Sequence, residues 1–136
     1  MVQKGIIITT GKRKTAVARA VIRGGQGDVR INKKDYKNLN RINRLRIEEP
    51  LRIAESILGK ANFDVAIKVK GGGDSGQNDA ARIALAKAIL AFSKNAELKK
   101  AYSAYDKHLL VADVRRKETC KPGDSKARRK RQKSYR

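Results

Sequence analysis

The chain contains no tryptophan, a single cysteine, a single histidine and a single methionine, and aromatic residues make up only 4% of it. Cys120 alone cannot found an internal disulfide framework. With His108 as its one companion, it cannot supply the ligands of a structural zinc site either. No apolar run approaches the ~18 to 20 residues that span a bilayer. Near the start only Ile6-Ile7-Ile8 is continuously apolar, too short for the core of a signal peptide. Acids are scarce as well: 13 Asp and Glu face 34 Lys and Arg, a net charge of +21. These absences describe a soluble, cytosolic, strongly basic protein whose partner is expected to be a polyanion.

What is present falls into two parts. A length of 136 residues suits one ordinary domain with room for a tail. Leu, Ile, Val and Phe number 31, and every one of them precedes Arg115. The 22 residues from Arg115 to Arg136 hold 11 basic side chains and two acids, Glu118 and Asp124. From Lys126 onward there are seven cations and no acid. Nothing in that stretch offsets the entropy of ordering, so on its own it is expected to be a disordered arm, rooted at the turn signal Lys121-Pro122-Gly123-Asp124. The expected division is a globular RNA-binding domain over 1–114 and a polycationic tail over 115–136.

Within the body, Ile6 to Thr10 reads as a short strand and Ala16 to Arg23 as a second, its residues alternating in character. The turn cluster from Arg23 to Asp28 then leads to Val29 and Ile31, which suggests a hairpin. Residues 35–45 read as turn or short helix. Pro50 looks like the first position of a helix ending at Leu58, with Glu48 and Glu49 near its positive end and Gly59 as its stop. Phe63 to Lys70 is the clearest strand. An Ala-rich helix follows over about Gln77 to Phe92, and a last helix is capped by Asn95, with Leu98, Tyr102 and Tyr105 on one face. A helix so rich in alanine can approach a sheet or another polymer closely. Alternating helices and strands argue for an α/β or α+β fold, a single sheet with helices packed on it.

Three segments carry chemistry. Gly71-x-Gly73-x-x-Gly76 formally matches a dinucleotide fingerprint. However, Asp74 would crowd a pyrophosphate, and the position of the ribose-binding acid, about 20 residues on, falls near Asn95. The P-loop reading fails because Gly76 is followed by Gln77-Asn78. An anion cradle for a polynucleotide phosphate, or a plain loop, remains. The second segment, Gly11-Lys12-Arg13-Lys14-Thr15, joins the first two strands and suits phosphate contacts, or is a solvated charged loop. The tail is the third, an arm able to order along folded RNA or a nonspecific sticky end. An enzyme reading has little support: His108 stands alone, and Cys120 has no histidine at a defined spacing to act as its base. By charge alone, a chromatin protein or an RNA chaperone fits as well as any other RNA binder.

The stretch GGGDSGQNDAARIALAKAI, Gly71 to Ile89, resembles the signature of the ninth small-subunit ribosomal protein family, with Ala80, Ala84, Ala86, Lys87, Ala88 and Ile89 filling its helical positions. Gly11 to Arg19 resembles that family's basic loop and strand, and the ending Lys133-Ser134-Tyr135-Arg136 is similar to its archaeal and eukaryotic branch. The resemblance implies a single mixed sheet with helices on one side and a left-handed βαβ crossover. It also implies a structural, non-enzymatic role without a cofactor. The implied partners are small-subunit ribosomal RNA in the head of the particle, neighbouring head proteins and peptidyl-site transfer RNA. On this basis Lys12, Arg13, Lys14 and Arg19, then Gly71, Gly72, Gly73 and Gln77, are expected RNA contacts. So are Arg115, Arg116, Lys117, Lys126, Arg128, Arg129, Lys130, Arg131 and Lys133 along the tail, with Tyr135 and Arg136 reaching transfer RNA.

Overall fold

In a computed structural model describing residues 5–60, 62–123, 126–130 and 134, the two alternating segments form the long strands of one sheet. The strands are β1 (Ile7–Arg13), β2 (Ala16–Gly24), β3 (Val29–Ile31), β4 (Lys34–Asp35) and β5 (Phe63–Lys70). The helices are α1 (Arg41–Leu58), α2 (Asp74–Ser93) and α3 (Ala96–Tyr105), with 3-10 turns at Tyr36–Asn38 and Lys107–Leu109. The sheet order is β1-β2-β5-β3-β4, and only β3 and β5 run parallel. Ala16, Ala18, Ala20 and Ile22 of β2 and Phe63, Val65, Ile67 and Val69 of β5 are buried beneath the helices. The alternate residues face outward, so the helices cover one side and the fold is α+β.

The expected hairpin of β2 with Val29–Ile31 does not form. β5 lies between them, and β3 pairs with β5 instead. The cause is a contact distant in the chain: the Asp64 carboxylate of β5 accepts the N–H groups of Gln26 (2.9 Å), Gly27 (3.3 Å) and Asp28 (3.1 Å), so the turn wraps around β5. Gly25 admits this approach, since a Cβ there would stand 2.0 Å from the carboxyl carbon.

Pro50 does not begin a helix. α1 starts at Arg41 and carries Pro50 inside it. The missing N–H leaves the Arg46 carbonyl without its helical donor. Three things hold the helix together across that gap. Glu48 bridges Arg44 (2.7 Å) and Arg52 (2.9 Å), one turn to either side. Ile47, Leu51 and Ala54 are buried in the core. The buried Tyr102 hydroxyl donates to the Pro50 carbonyl at 2.8 Å. Glu48 and Glu49 therefore stand mid-helix, and Glu49 pairs with Arg82 of α2 at 2.6 Å. The hydrogen bond from Arg44, seconded by Arg52, holds the Glu48 carboxyl below the usual range.

Gly59 does end α1, at φ 74°, and the Asn95 side chain does cap α3 by accepting from the Glu97 N–H. α2 starts three residues earlier than the alanine pattern suggests, at Asp74. In α3, Leu98 and Tyr102 are buried but Tyr105 is exposed.

The N–H of Asp28, with those of Gln26 and Gly27 and the nearby Arg23, holds the Asp64 carboxyl below its ordinary value. A group with a depressed folded pKa adds stability above its unfolded pKa, about 4, and loses it as pH falls through the folded value. Asp64→Asn is expected to cost about 1 to 3 kcal/mol in urea unfolding at neutral pH. The deficit should shrink toward zero on acidification; a deficit independent of pH would show that the carboxylate charge is not what holds the turn.

Candidate nucleic-acid interface

The site begins with how closely α2 lies on the sheet. A Cβ on Gly11 of β1 would come within 2.3 Å of the Ala80 carbonyl oxygen and 2.6 Å of the Ala84 nitrogen. The Thr9 hydroxyl donates to the Ala84 carbonyl at 2.9 Å. The side chains between the two layers are alanines on both sides: Ala16, Ala18 and Ala20 below, Ala80, Ala81, Ala84 and Ala88 above. That contact fixes the start of α2 against the β1–β2 turn.

Gly11, Lys12 and Arg13 belong to β1, so the connection to β2 is only Lys14-Thr15, and not the five-residue loop expected. Lys14 takes a left-handed conformation (φ 53°) and its side chain is exposed. The glycine segment turns directly beside it. Gly71 and Gly72 have φ 75° and 68°, and a Cβ on Gly71 would meet the Thr15 carbonyl oxygen at 2.6 Å. Gln77 donates from Nε2 to the Gly71 carbonyl at 3.1 Å. Between the two loops lies a cleft of about 400 Å³, lined by Lys14, Thr15, Gly72, Gly73, Ser75 and their neighbours. Gly71, Gly72 and Gln77 thus have evident structural duties, whereas a side chain at Gly73 would meet open space.

The positive end of α2 already carries its own carboxylate. Asp74 occupies the first helical position and accepts from Asn43 Nδ2 at 2.8 Å. Attraction for an anion in this cleft therefore comes from the cations around it more than from the helix dipole.

The tail starts from the same place. Asp113 is buried and forms an ion pair with Arg13. It also accepts the Arg115 N–H (2.9 Å) and guanidinium (2.8 Å). Arg116 Nη1 donates to the Lys14 carbonyl at 2.8 Å. Arg13 further approaches Asp79 (3.7 Å), which Arg46 of α1 also reaches (3.2 Å). Asp113, Asp79 and Arg46 were not expected at this site. The one sequence signal is an acid, Asp113, two residues before the basic run begins at Arg115.

The expected RNA contacts therefore separate. Arg13 and Arg115 are engaged with internal acids, and Arg128 forms a two-pronged pair with Glu118 (2.8 Å and 3.1 Å). Lys14, Lys117, Lys126, Arg129 and Lys130 are exposed, with no acid paired to them among the described residues. Lys12 and Arg19 are exposed on the open face of the sheet. Beyond the 3-10 turn at Lys107–Leu109 no helix or strand occurs among the described residues. Arg131, Lys133, Tyr135 and Arg136 lie outside them.

A family model described as ribosomal protein S9/S16 matches residues 11–136, from the start of the basic turn through the tail. The chain belongs to that ribosomal protein family. It is a structural protein and not an enzyme. Among relatives, it is 46% identical over 134 residues to small ribosomal subunit protein uS9 of Methanococcus vannielii, covering 96% of this chain and 98% of that one. It is 48% identical to the uS9 of Thermoplasma volcanium, covering 96% and 98% of the two chains. To the uS9 of Thermoplasma acidophilum it is 50% identical, covering 96% of this chain and 100% of the relative. The family match includes all three segments that the fold gathers: turn, glycine loop and tail root.

Asp113→Asn should leave Arg13 with a weakened, half-buried partner and release the tail root. The expected loss is about 2 to 3 kcal/mol in global stability, together with faster amide exchange at Arg115. If the Arg115 amide kept its wild-type protection, Asp113 would not be the clamp.

Proposed function

We propose that this ribosomal protein is a constituent of the small subunit and docks on small-subunit ribosomal RNA in the head. The exposed cations of the β1–β2 turn and the tail make the contact. The fastening of the tail root beside the β1–β2 turn, through Asp113 on Arg13 and Arg116 on the Lys14 carbonyl, is the observation that carries the reading. Lys14, Lys117, Lys126, Arg129 and Lys130 are free of internal acids and can each neutralise a phosphate and release its counterion. Arg13 and Arg115 act by holding the frame, and the open space at Gly73 lets an RNA backbone approach the cleft. Most contacts run to phosphate and sugar, so the docking reads shape more than base sequence.

The finer part of the proposal concerns the arm. It passes between RNA helices where a folded domain would not fit, screens their mutual repulsion, and brings Tyr135 and Arg136 to the anticodon stem-loop of peptidyl-site transfer RNA. Neighbouring head proteins border the body. The 46–50% identity to proteins named as uS9 supports this reading, and so does the continuous cationic composition of the tail.

Removing residues 126–136 is expected to leave the body folded. It should reduce the salt dependence of binding to single-stranded RNA by up to about five log units per log salt, roughly 0.7 for each of seven cations. An unchanged slope would refute the role of the arm.

A further inference from the structure

The face of the sheet turned away from the helices is uncovered, and its side chains follow from the register. One row across the strands reads Thr10, Arg19, Lys68 and the next reads Lys12, Val17, Lys70. A third row, Ile8, Val21, Ala66, Arg30, lies on the other side of the first. Rows are about 6.8 Å apart along the strands, and neighbours within a row are about 4.8 Å apart. Lys12, Arg19, Lys68 and Lys70 are all exposed, and none is paired with an acid among the described residues. The two acids at the far end of this side of the sheet are already engaged. Asp64 holds the β2–β3 turn and Arg23, and Asp28 holds Arg30.

Arg19 and Lys68 are directly opposed like charges, an arrangement that destabilises an isolated sheet. We infer that this open face is a second docking surface for RNA backbone, with the four cations on successive phosphates and Val17 and Val21 against ribose. The inference rests on the ribosomal RNA reading above and extends it from the cleft onto the face of the sheet opposite the helices. Charge complementarity selects the occupant. A second copy of the chain, at +21, would be repelled. An apolar protein partner would find no aromatic anchor among the described residues, since the apolar side chains of this face, Ile6, Ile8, Val17, Val21 and Ala66, are all aliphatic.

The test uses the full chain carrying Arg19→Gln and Lys68→Gln together, with a fully paired RNA hairpin as the probe. Relief of like-charge repulsion should raise the melting temperature of the free protein at low salt by about 1 to 4 °C. The salt slope of hairpin binding should fall by about 1.4 to 1.8 log units per log salt, the release expected for two phosphates. A lowered melting temperature with an unchanged slope would mean that the face is structural only, and would overturn the inference. So would cross-linking from position 68 to a protein, and not to RNA, in assembled subunits. The chain lacking 126–136 is measured beside it on the same probe. If that chain loses slope and the sheet variant does not, only this inference fails; if neither loses slope, the ribosomal RNA reading itself is wrong.

Discussion

The near-contact of α2 with the sheet governs the rest of the structure. Where β1 passes beneath α2 it must carry glycine, because even a methyl group on Gly11 would sit inside the Ala80 carbonyl. The neighbouring strand answers with three buried alanines, and the helix presents alanines in return. Small residues bury little apolar area each, but they let two backbones approach until a side-chain hydroxyl, Thr9, spans the gap to the helix carbonyl of Ala84. From that placement the position of the glycine turn follows. Gly71 has to pass the Thr15 carbonyl, and positive φ at Gly71 and Gly72 makes the reversal possible.

Charge is divided by residue type. Among the described residues every ion pair uses arginine, whose planar fork suits bidentate, partly buried pairing. Arg82, for example, ties Glu49 of α1 to Asp106 at the end of α3, with distances of 2.6 Å and 3.0 Å. Acids such as Asp64, Asp79, Asp113, Glu48, Glu49 and Asp106 fasten helices, turn and tail root together. The described lysines are left without acidic partners on the surface, so their charge is available to a polyanion. The protein thus separates cations that build it from cations that bind.

Strongly periodic segments were legible in the sequence: β2, β5 and α2 lie close to where alternation and alanine spacing put them. So were the end of α1 at Gly59 and the cap of α3 at Asn95. The missed features depend on contacts distant in the chain. Pro50 is a reasonable helix start on local grounds, and only the Arg44–Glu48–Arg52 ladder and the Tyr102 hydroxyl show how a helix runs through it. The β2–β3 turn looks like a hairpin until Asp64 is seen to capture it from 36 residues away. At the interface, composition and motif identified the right segments but not the division of labour within them. Arg13 and Lys14 are adjacent and equally charged; one faces Asp113 and the other solvent, and no local pattern distinguishes them.

The end of the body holding the β1–β2 turn is the one proposed to face ribosomal RNA. Site-specific photo-cross-linking in assembled small subunits measures this directly, with a photoreactive residue introduced at position 14 or at position 55. Lys14 is exposed beside the glycine cleft, and Glu55 is exposed on α1. Labelling of small-subunit ribosomal RNA from position 14 and none from position 55 is the predicted result. Labelling from position 55 with none from position 14 would contradict it.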